Sequence, residues 1–210
     1  MDSAKQVQGV QTGTTTVGMV CKDGVILASD RRATMGYLIA SKDIDKIYAV
    51  DDRVAMTIAG SVGDAQTLVR WMTAEIRLYE LKHEKQISVE AAATLLGNIL
   101  SQNKFFPFFV QLLVGGHDDE PKLFSVDMLG GMTEEKMTAT GSGSPIAYGV
   151  LEEMYSEGQP ITANLPVAAK AVSAAMKRDA ASGERVDVCV VTKFGFKRMK
   201  KEEVRKLLKE

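Results

Sequence analysis

Two stretches of strand-forming residues, separated by the polar turn Lys22-Asp23-Gly24, predict a β-hairpin in the first part of the chain. Residues 14–21 and 25–30 are rich in Val, Ile, Ala and Thr, which favour strands, and Asp23-Gly24 between them is a common turn pair. If these two residues form the turn, the register places Asp30 opposite Val17. The Asp30 carboxylate is then expected near the start of the first strand.

A second hairpin is predicted directly after the first. Its strands are residues 46–50 and 54–60, and its turn lies at Asp51-Asp52. Lys46 and Gly60 are then expected at the same end of this hairpin.

From Asp64 the apolar residues recur every three or four positions, which predicts a helix to about Tyr79. Further helices are predicted from the N-cap Ser88 to Leu100, from the N-cap Ser144 and Pro145 to about Tyr155, and from Pro166 to about Arg178, and further strands at 108–114, 123–127, 136–140 and 187–192. The elements therefore come as blocks of strands and blocks of helices. This order favours an α+β fold, with antiparallel sheets and helices on their outer faces, over alternating βαβ units.

Composition and charge limit the partners of the chain. Its 210 residues fit one domain, 25% of them are charged, and the net charge is −1. No field attracts nucleic acid or an anionic membrane, and no apolar run approaches the ~18 residues of a membrane span. The lysine-rich stretch 197–210 has an apolar stripe at Val204, Leu207 and Leu208, so a solvated helix is favoured over a nucleic-acid patch.

The two cysteines and residues 1–13 indicate the cellular compartment of the protein. Cys21 and Cys189 lie in apolar stretches, which favours buried free thiols in a reducing compartment over a disulfide or a reactive thiol. Residues 1–13 lack the apolar segment of a secretory signal. We expect a soluble protein of the cytoplasm.

Common catalytic groups are scarce. His83 lies among charged residues and His117 in a predicted turn, so both are expected at the surface. The sequence has no Gly-x-Ser-x-Gly elbow, no Cys/His ligand cluster and no phosphate-binding glycine loop. These absences disfavour serine-triad, zinc and nucleotide chemistry, and we expect no metal and no cofactor.

Three consecutive threonines, Thr14-Thr15-Thr16, open the first predicted strand. By residue type alone they indicate β-propensity. If the chain were cut after Gly13, however, the free α-amine of Thr14, with a reference pKa of about 7.7 to 8.0, could accept the proton of its own hydroxyl. A lysine cation such as Lys46 would lower that pKa further, and Asp30 would hold the lysine charged.

The string Thr14-Thr15-Thr16-Val17-Gly18 after Gly13 resembles the processing site and mature start of archaeal proteasome β subunits. Further matching strings follow in the family's order, at residues 29–34, 46–47, 56–65, 111–116, 141–144 and 178–183. The resemblance therefore covers nearly the whole chain after Gly13. It implies a propeptide of residues 1–13, removed autocatalytically by cleavage between Gly13 and Thr14, and a single catalytic domain of residues 14–210.

The resemblance also implies roles for individual residues. They are Thr14 as nucleophile, Asp30 and Lys46 as its polar support, the Gly60 backbone N–H as oxyanion donor, and Ser142, Asp179 and Ser182 as positioning groups at the new N-terminus. Without the resemblance, the two serines would be turn residues and Asp179 a helix cap. The family's specificity pocket maps onto apolar Ala33, Ile44, Ile58 and Val62, with Thr34 beside them as a further substrate contact. Cleavage after hydrophobic residues is expected.

At the level of fold and assembly, the resemblance implies a four-layer α-β-β-α sandwich of the N-terminal-nucleophile hydrolase type. It further implies seven-membered β rings stacked in pairs, capping rings of α subunits, an ATPase regulator acting through those rings, and unfolded polypeptides as substrates. Two alternatives stay open: an inactive scaffold subunit of the same fold, and an amidase that acts on a small metabolite.

Overall fold

The computed structural model describes residues 13–209, so the expected propeptide, apart from Gly13, lies outside the described residues. The strands are β1 (Thr16–Cys21), β2 (Gly24–Asp30), β3 (Ala33–Met35), β4 (Leu38–Ser41), β5 (Ile47–Asp51), β6 (Val54–Gly60), β7 (Val110–His117), β8 (Pro121–Val126), β9 (Met132–Glu134), β10 (Met137–Thr140), β11 (Val186–Thr192) and β12 (Gly195–Arg198). The helices are α1 (Val62–His83), α2 (Val89–Gln102), α3 (Ser144–Met154), α4 (Ile161–Met176) and α5 (Lys201–Leu208).

Two five-stranded antiparallel sheets form the centre of the molecule. The first sheet has the order β10-β1-β2-β11-β12 and the second the order β5-β6-β7-β8-β9, while β3 and β4 form a separate ribbon. Buried apolar side chains from both sheets meet between them, among them Val25, Leu27, Leu113 and Leu123. The sheets approach closely, because a Cβ at Gly18 would lie 2.8 Å from the Leu123 side chain.

Helices cover the outer face of each sheet. Residues of α1 and α2 bury Leu68, Met72 and Leu96 against the second sheet. Residues of α3, α4 and α5 do the same against the first sheet. The predicted α+β class and the four-layer arrangement are confirmed.

The predicted register of the first hairpin is wrong. Cys21 pairs with Gly24 and Val17 with Ala28, so Lys22 and Asp23 form the turn and Asp30 comes opposite Thr15 instead of Val17. Gly24 is needed inside the strand, because a Cβ there would lie 2.3 Å from the Val191 carbonyl oxygen. The correction brings Asp30 closer to Thr14 than predicted.

Two predicted helix starts are also wrong. Gly143, not Ser144, is the N-cap of α3, and Ser144 is the first helical residue. Helix α4 begins at Ile161 and contains Pro166 in its interior. Its early start is stabilised from outside the helix, since the Ile161 N–H donates to Asp23 Oδ1 at 2.7 Å.

The remaining differences concern short strands and the ends of elements. Helix α1 runs from Val62 to His83 instead of from Asp64 to about Tyr79, and β7 from Val110 to His117 instead of over residues 108–114. The ribbon β3-β4, β9 and β12 have three or four residues each and were not predicted. Because Gly195–Arg198 pairs with β11, the C-terminal helix begins at Lys201 rather than at 197. In the second hairpin the strands are Ile47–Asp51 and Val54–Gly60, so its turn lies one residue later than predicted.

Candidate active site

Thr14 lies just before β1 and is 4% exposed. Its Oγ1 donates a hydrogen bond to the Gly13 carbonyl oxygen at 2.7 Å, and its backbone N–H donates to Ser142 Oγ at 3.2 Å. The Gly143 N–H donates to the Thr14 carbonyl oxygen at 3.3 Å. The hydroxyl and the nitrogen of Thr14 are therefore both held at the Gly13–Thr14 bond.

A buried ion pair lies next to Thr14. Lys46, just before β5, places Nζ 2.7 Å from Oδ1 of Asp30 at the end of β2. Asp30 also accepts from the backbone N–H groups of Thr15, Arg32 and Gly183, each at 3.0 Å. The Asp30 carboxylate therefore has four donors, and its position is fixed by both sheets and by the chain around 183.

Burial sets the electrostatics of Lys46. Loss of water around the ammonium group lowers the pKa of Lys46, and the Asp30 carboxylate opposes this shift. Lys46 is 5% exposed and Asp30 is not exposed at all. The charge of Lys46 thus depends on its contact with Asp30.

On the other side of Thr14, Asp179 accepts hydrogen bonds from two serine hydroxyls. Ser142 Oγ and Ser182 Oγ both donate to Asp179 Oδ2, at 2.6 and 2.5 Å, and the Ala181 N–H donates to Oδ1 at 3.2 Å. Ser182 Oγ also lies 2.7 Å from Thr15 Oγ1. The Ser142 hydroxyl therefore connects Asp179 with the nitrogen of Thr14, and the Ser182 hydroxyl connects it with the side chain of Thr15.

Gly60 ends β6 at the same end of the second hairpin as Lys46, as predicted, and the Ile58 N–H donates to the Lys46 carbonyl oxygen at 3.0 Å. Its φ is +141°, and a Cβ would lie 2.0 Å from the Phe109 carbonyl oxygen. Both the backbone conformation and the available space require glycine here.

A narrow cavity of about 30 Å³ connects these groups. Its lining includes Gly13, Thr14, Lys46 and Gly60 together with all five predicted substrate contacts, Ala33, Thr34, Ile44, Ile58 and Val62. Thr34 Oγ1 accepts from the Gly13 N–H at 3.1 Å, so Gly13 already lies along this wall. The other predicted site residues lie next to it: Asp30 binds Lys46 and the Thr15 N–H, Ser142 accepts from the Thr14 N–H, and Asp179 binds Ser142 and Ser182.

The prediction missed further lining residues, Arg32, Asp45, Tyr48 and Ala65. The sequence did contain a signal for Tyr48. It lies two positions after Lys46, near the start of β5, and residues two positions apart in a strand face the same side. Its hydroxyl donates to the Asp45 carbonyl oxygen at 2.6 Å, which fixes the ring at the cavity.

The other candidate groups lie elsewhere. His83 is exposed and packs on Tyr79, with ring centroids 4.5 Å apart, and His117 is half-buried at the end of β7. Cys21 and Cys189 are free and buried as predicted, and burial raises their thiol pKa values to about 11 and about 12. Across residues 13–209, no group of three or more His, Cys, Asp or Glu side chains is placed to hold a metal ion. No helix in the same range has the length and apolarity needed to cross a membrane.

The chain is similar to known proteins over nearly its whole length. Residues 10–191 match the family described as proteasome subunit. A proteasome subunit beta of Methanocaldococcus fervens is 54% identical over 204 residues, covering 96% of this chain and 91% of the relative. The corresponding values are 57% over 199 residues, 93% and 89% for a proteasome subunit beta of Methanocaldococcus vulcanius, and 54% over 201 residues, 95% and 94% for one of Archaeoglobus profundus.

Proposed function

The chain belongs to the proteasome subunit family as a β subunit, and we propose that it is a threonine endopeptidase activated by its own cleavage of the Gly13–Thr14 bond. The observation that carries this proposal is the environment of Thr14. The Thr14 hydroxyl donates a hydrogen bond to the Gly13 carbonyl oxygen, the Thr14 N–H donates to Ser142, and the Asp30–Lys46 pair lies beside them.

Self-cleavage would use the Thr14 hydroxyl as the nucleophile. Oγ1 attacks the Gly13 carbonyl carbon, the C–N bond breaks, and the hydroxyl proton passes to the departing nitrogen, which leaves an ester. Water then hydrolyses the ester and releases residues 1–13. The contact of Oγ1 with the Gly13 oxygen at 2.7 Å supports this step. A Cβ at Gly13 would lie 1.6 Å from Ala181 Cβ, so a larger residue does not fit in this conformation.

The freed amine would then act as the base in peptide hydrolysis. It accepts the Thr14 hydroxyl proton while Oγ1 attacks the substrate carbonyl, and it gives this proton to the leaving amine as the peptide C–N bond breaks, which leaves an acyl ester on Thr14. Water, activated by the same amine, then hydrolyses the ester and restores the Thr14 hydroxyl. Lys46 keeps the pKa of the amine low, and Asp30 keeps Lys46 charged. The Gly60 N–H donates to the developing oxyanion, a type of contact whose loss typically costs on the order of 10² to 10³ in rate. Before cleavage the nitrogen is an amide and cannot serve as a base, so the precursor is a zymogen.

The cavity beside Thr14 would select the residue on the amino side of the cleaved bond. Ala33, Ile44, Ile58 and Val62 give it apolar walls. Burying a hydrophobic side chain there adds binding energy, whereas a charged one would lose its hydration. We therefore propose cleavage after hydrophobic residues.

The proposed setting is the cytoplasm, where seven-membered β rings stack in pairs between rings of α subunits. An ATPase regulator acting through the α rings would feed unfolded polypeptides to the enclosed sites. Selectivity then comes from access to the chamber more than from the sequence of the substrate. The subunit needs no metal and no cofactor in this mechanism.

The test is peptide hydrolysis by the assembled protein, with wild type, Thr14→Ala, Ile58→Glu and the conservative control Ile58→Val. Wild type and Ile58→Val should cleave after hydrophobic residues, Ile58→Glu should shift towards basic residues, and Thr14→Ala should be inactive. An unchanged preference in Ile58→Glu would refute the pocket assignment.

Two results would refute the proposal as a whole. Hydrolysis of small amides without peptide cleavage would identify a small-molecule amidase. Absence of Thr14-dependent hydrolysis in assembled wild type would identify a scaffold subunit.

A further inference from the structure

Residues 42–46, between β4 and β5, carry two groups of the proposed site but have no regular secondary structure. Ile44 lines the cavity, and Lys46 must place its ammonium group on Asp30. The precision of the Lys46–Asp30 contact must therefore come from side-chain contacts of this segment.

Arg31 holds three consecutive residues of the segment. Its Nε donates to Asp43 Oδ1 at 2.5 Å, and its Nη1 to Asp45 Oδ1 at 2.5 Å. Between these two contacts, its carbonyl oxygen accepts from the Ile44 N–H at 3.0 Å. One residue thus fixes the segment through both its side chain and its backbone.

Arg31 is itself anchored in the interior. It is 6% exposed, and its Nη1 also lies 3.0 Å from Oδ2 of the buried Asp187 on β11. Its N–H donates to the Gly183 carbonyl oxygen at 3.3 Å, while the Gly183 N–H donates to Asp30. The anchor of the segment is therefore the same part of the first sheet that positions Asp30.

Two ion pairs join the same two segments of the chain through adjacent residues. Asp30 binds Lys46, and the next residue, Arg31, binds Asp45, the residue before Lys46. Arg198 also binds Asp45 and donates to the Ile47 carbonyl oxygen at 2.6 Å. Any displacement of Asp45 moves Lys46 relative to Asp30.

The geometry of the guanidinium group matters here. Arg31 donates in different directions from a rigid plane, whereas a lysine at this position would be a compact charge on a flexible stem. Lysine keeps the charge but cannot reproduce the simultaneous contacts to Asp43, Asp45 and Asp187.

We propose that Arg31 is a positioning residue of the peptidase site, which holds residues 42–46 so that Lys46 meets Asp30 and Ile44 closes the specificity pocket. This inference rests on the function proposed above.

The test compares Arg31→Lys with Arg185→Lys in the full chain, after assembly and processing. Arg185 is a matched control, because it binds Asp43 at 2.8 Å from the outer side and contacts neither Ile44 nor Asp45 in the described residues. In Arg31→Lys we expect kcat to fall on the order of 10²-fold, the effect of a displacement of about 1 Å, and KM for hydrophobic peptides to rise.

The decisive readout is the alkaline limb of the pH profile of kcat/KM. The charged groups around Lys46 are Asp30, Asp179 and Arg31. After processing the freed Thr14 amine joins them, and with a pKa at or below about 7.7 to 8.0 it is neutral on the alkaline limb. Burial lowers the pKa of Lys46 and Asp30 raises it. A looser contact with Asp30 therefore lets the pKa of Lys46 fall, and the alkaline limb moves to lower pH. Arg185→Lys should keep the wild-type limb. Loss of folded protein alone would reduce activity at every pH without moving the limb.

Asp45→Ala serves as a second variant, since it leaves the buried Arg31–Asp187 contact in place and should move the limb in the same direction by less. If Arg31→Lys does not assemble, Asp45→Ala decides. An unmoved limb in every assembled variant overturns the role of Arg31 while Thr14-dependent hydrolysis by wild type still stands. Absence of that hydrolysis in wild type overturns the proposed function itself.

Discussion

Two carboxylates flank Thr14, and their surroundings differ. Asp30 is fully buried and accepts from three backbone N–H groups and the Lys46 ammonium group. Asp179 is half-buried and accepts from two serine hydroxyls and the Ala181 N–H. One side of Thr14 is thus a fixed pair of charges, and the other is a carboxylate with two serine hydroxyls, of which that of Ser142 reaches the Thr14 nitrogen.

This difference predicts that the two sides fail in different ways. Removing one partner of a buried ion pair leaves an uncompensated charge and costs about 3 to 5 kcal/mol. A hydrogen bond to a charged group contributes about 1.5 to 3 kcal/mol, and solvent can replace part of it at a half-buried site. We expect changes on the Asp30 side to affect both stability and activity, and changes on the Asp179 side to affect mainly activity.

The largest effect is expected for Asp30→Asn. The variant leaves Lys46 buried without its counter-charge, so the free energy of unfolding should fall by about 3 to 5 kcal/mol and both processing and peptide hydrolysis should be lost. The double variant Asp30→Asn/Lys46→Met removes both charges but keeps an acceptor for the backbone N–H groups, so it should recover the stability lost to the unpaired ammonium group but no activity. Thermal unfolding and peptide hydrolysis measure the two quantities. Full activity in either variant would contradict the role of the ion pair.

A smaller effect is expected for Asp179→Asn. Both serine hydroxyls donate to Oδ2 and the Ala181 N–H donates to Oδ1. An amide that keeps its oxygen at the serines turns its NH₂ group onto the Ala181 N–H, and the opposite orientation loses the serine acceptor, so in both cases the Thr14 nitrogen is less well oriented. We expect processing to slow and kcat to fall by about 10² or less, with a melting temperature close to wild type. Asp119→Asn, at an exposed loop position, is the matched control and should change neither. A loss of stability as large as in Asp30→Asn would remove the distinction between the two sides.

The smallest effect is expected from a change of pH, which titrates the groups at Thr14 without any substitution. Activity should rise through the pKa of the freed amine, at or below its reference of about 7.7 to 8.0. As the pH rises further, activity should fall again before pH 10.5, the ordinary pKa of lysine, is reached, because burial lowers the pKa of Lys46. Since the folded chain gives up this proton before the unfolded chain does, losing the Lys46 charge favours the folded state. The alkaline decline in kcat/KM should therefore precede any unfolding seen by circular dichroism, and activity that persists unchanged past pH 10.5 would contradict the need for a charged Lys46.

Much of the fold follows from local patterns. Stretches of strand-forming residues around short turns predict both hairpins, and the approach of Lys46 to the Gly60 end depends only on that pairing. The register of the first hairpin was not predictable, because Gly24 is a good turn residue but is also required inside the strand by its close approach to the Val191 carbonyl oxygen, on a strand far away in sequence. The start of α4 depends in the same way on Asp23, a distant side chain.

The site shows the same division. Chemistry and the family resemblance predict Thr14, Asp30 and Lys46. The contacts that hold Lys46 in place were not predicted, because Arg31 reaches Asp187 across 156 positions of the chain. A single sequence does not show which of several surface-like arginines and aspartates become buried together.

Intact-mass measurement of the assembled protein, wild type beside Thr14→Ala, tests the central claim most directly. Cleavage between Gly13 and Thr14 predicts that wild type loses the mass of residues 1–13 and begins at Thr14, whereas Thr14→Ala keeps its full mass. Assembled wild type that retains residues 1–13, or Thr14→Ala that loses them equally, would contradict self-processing by Thr14.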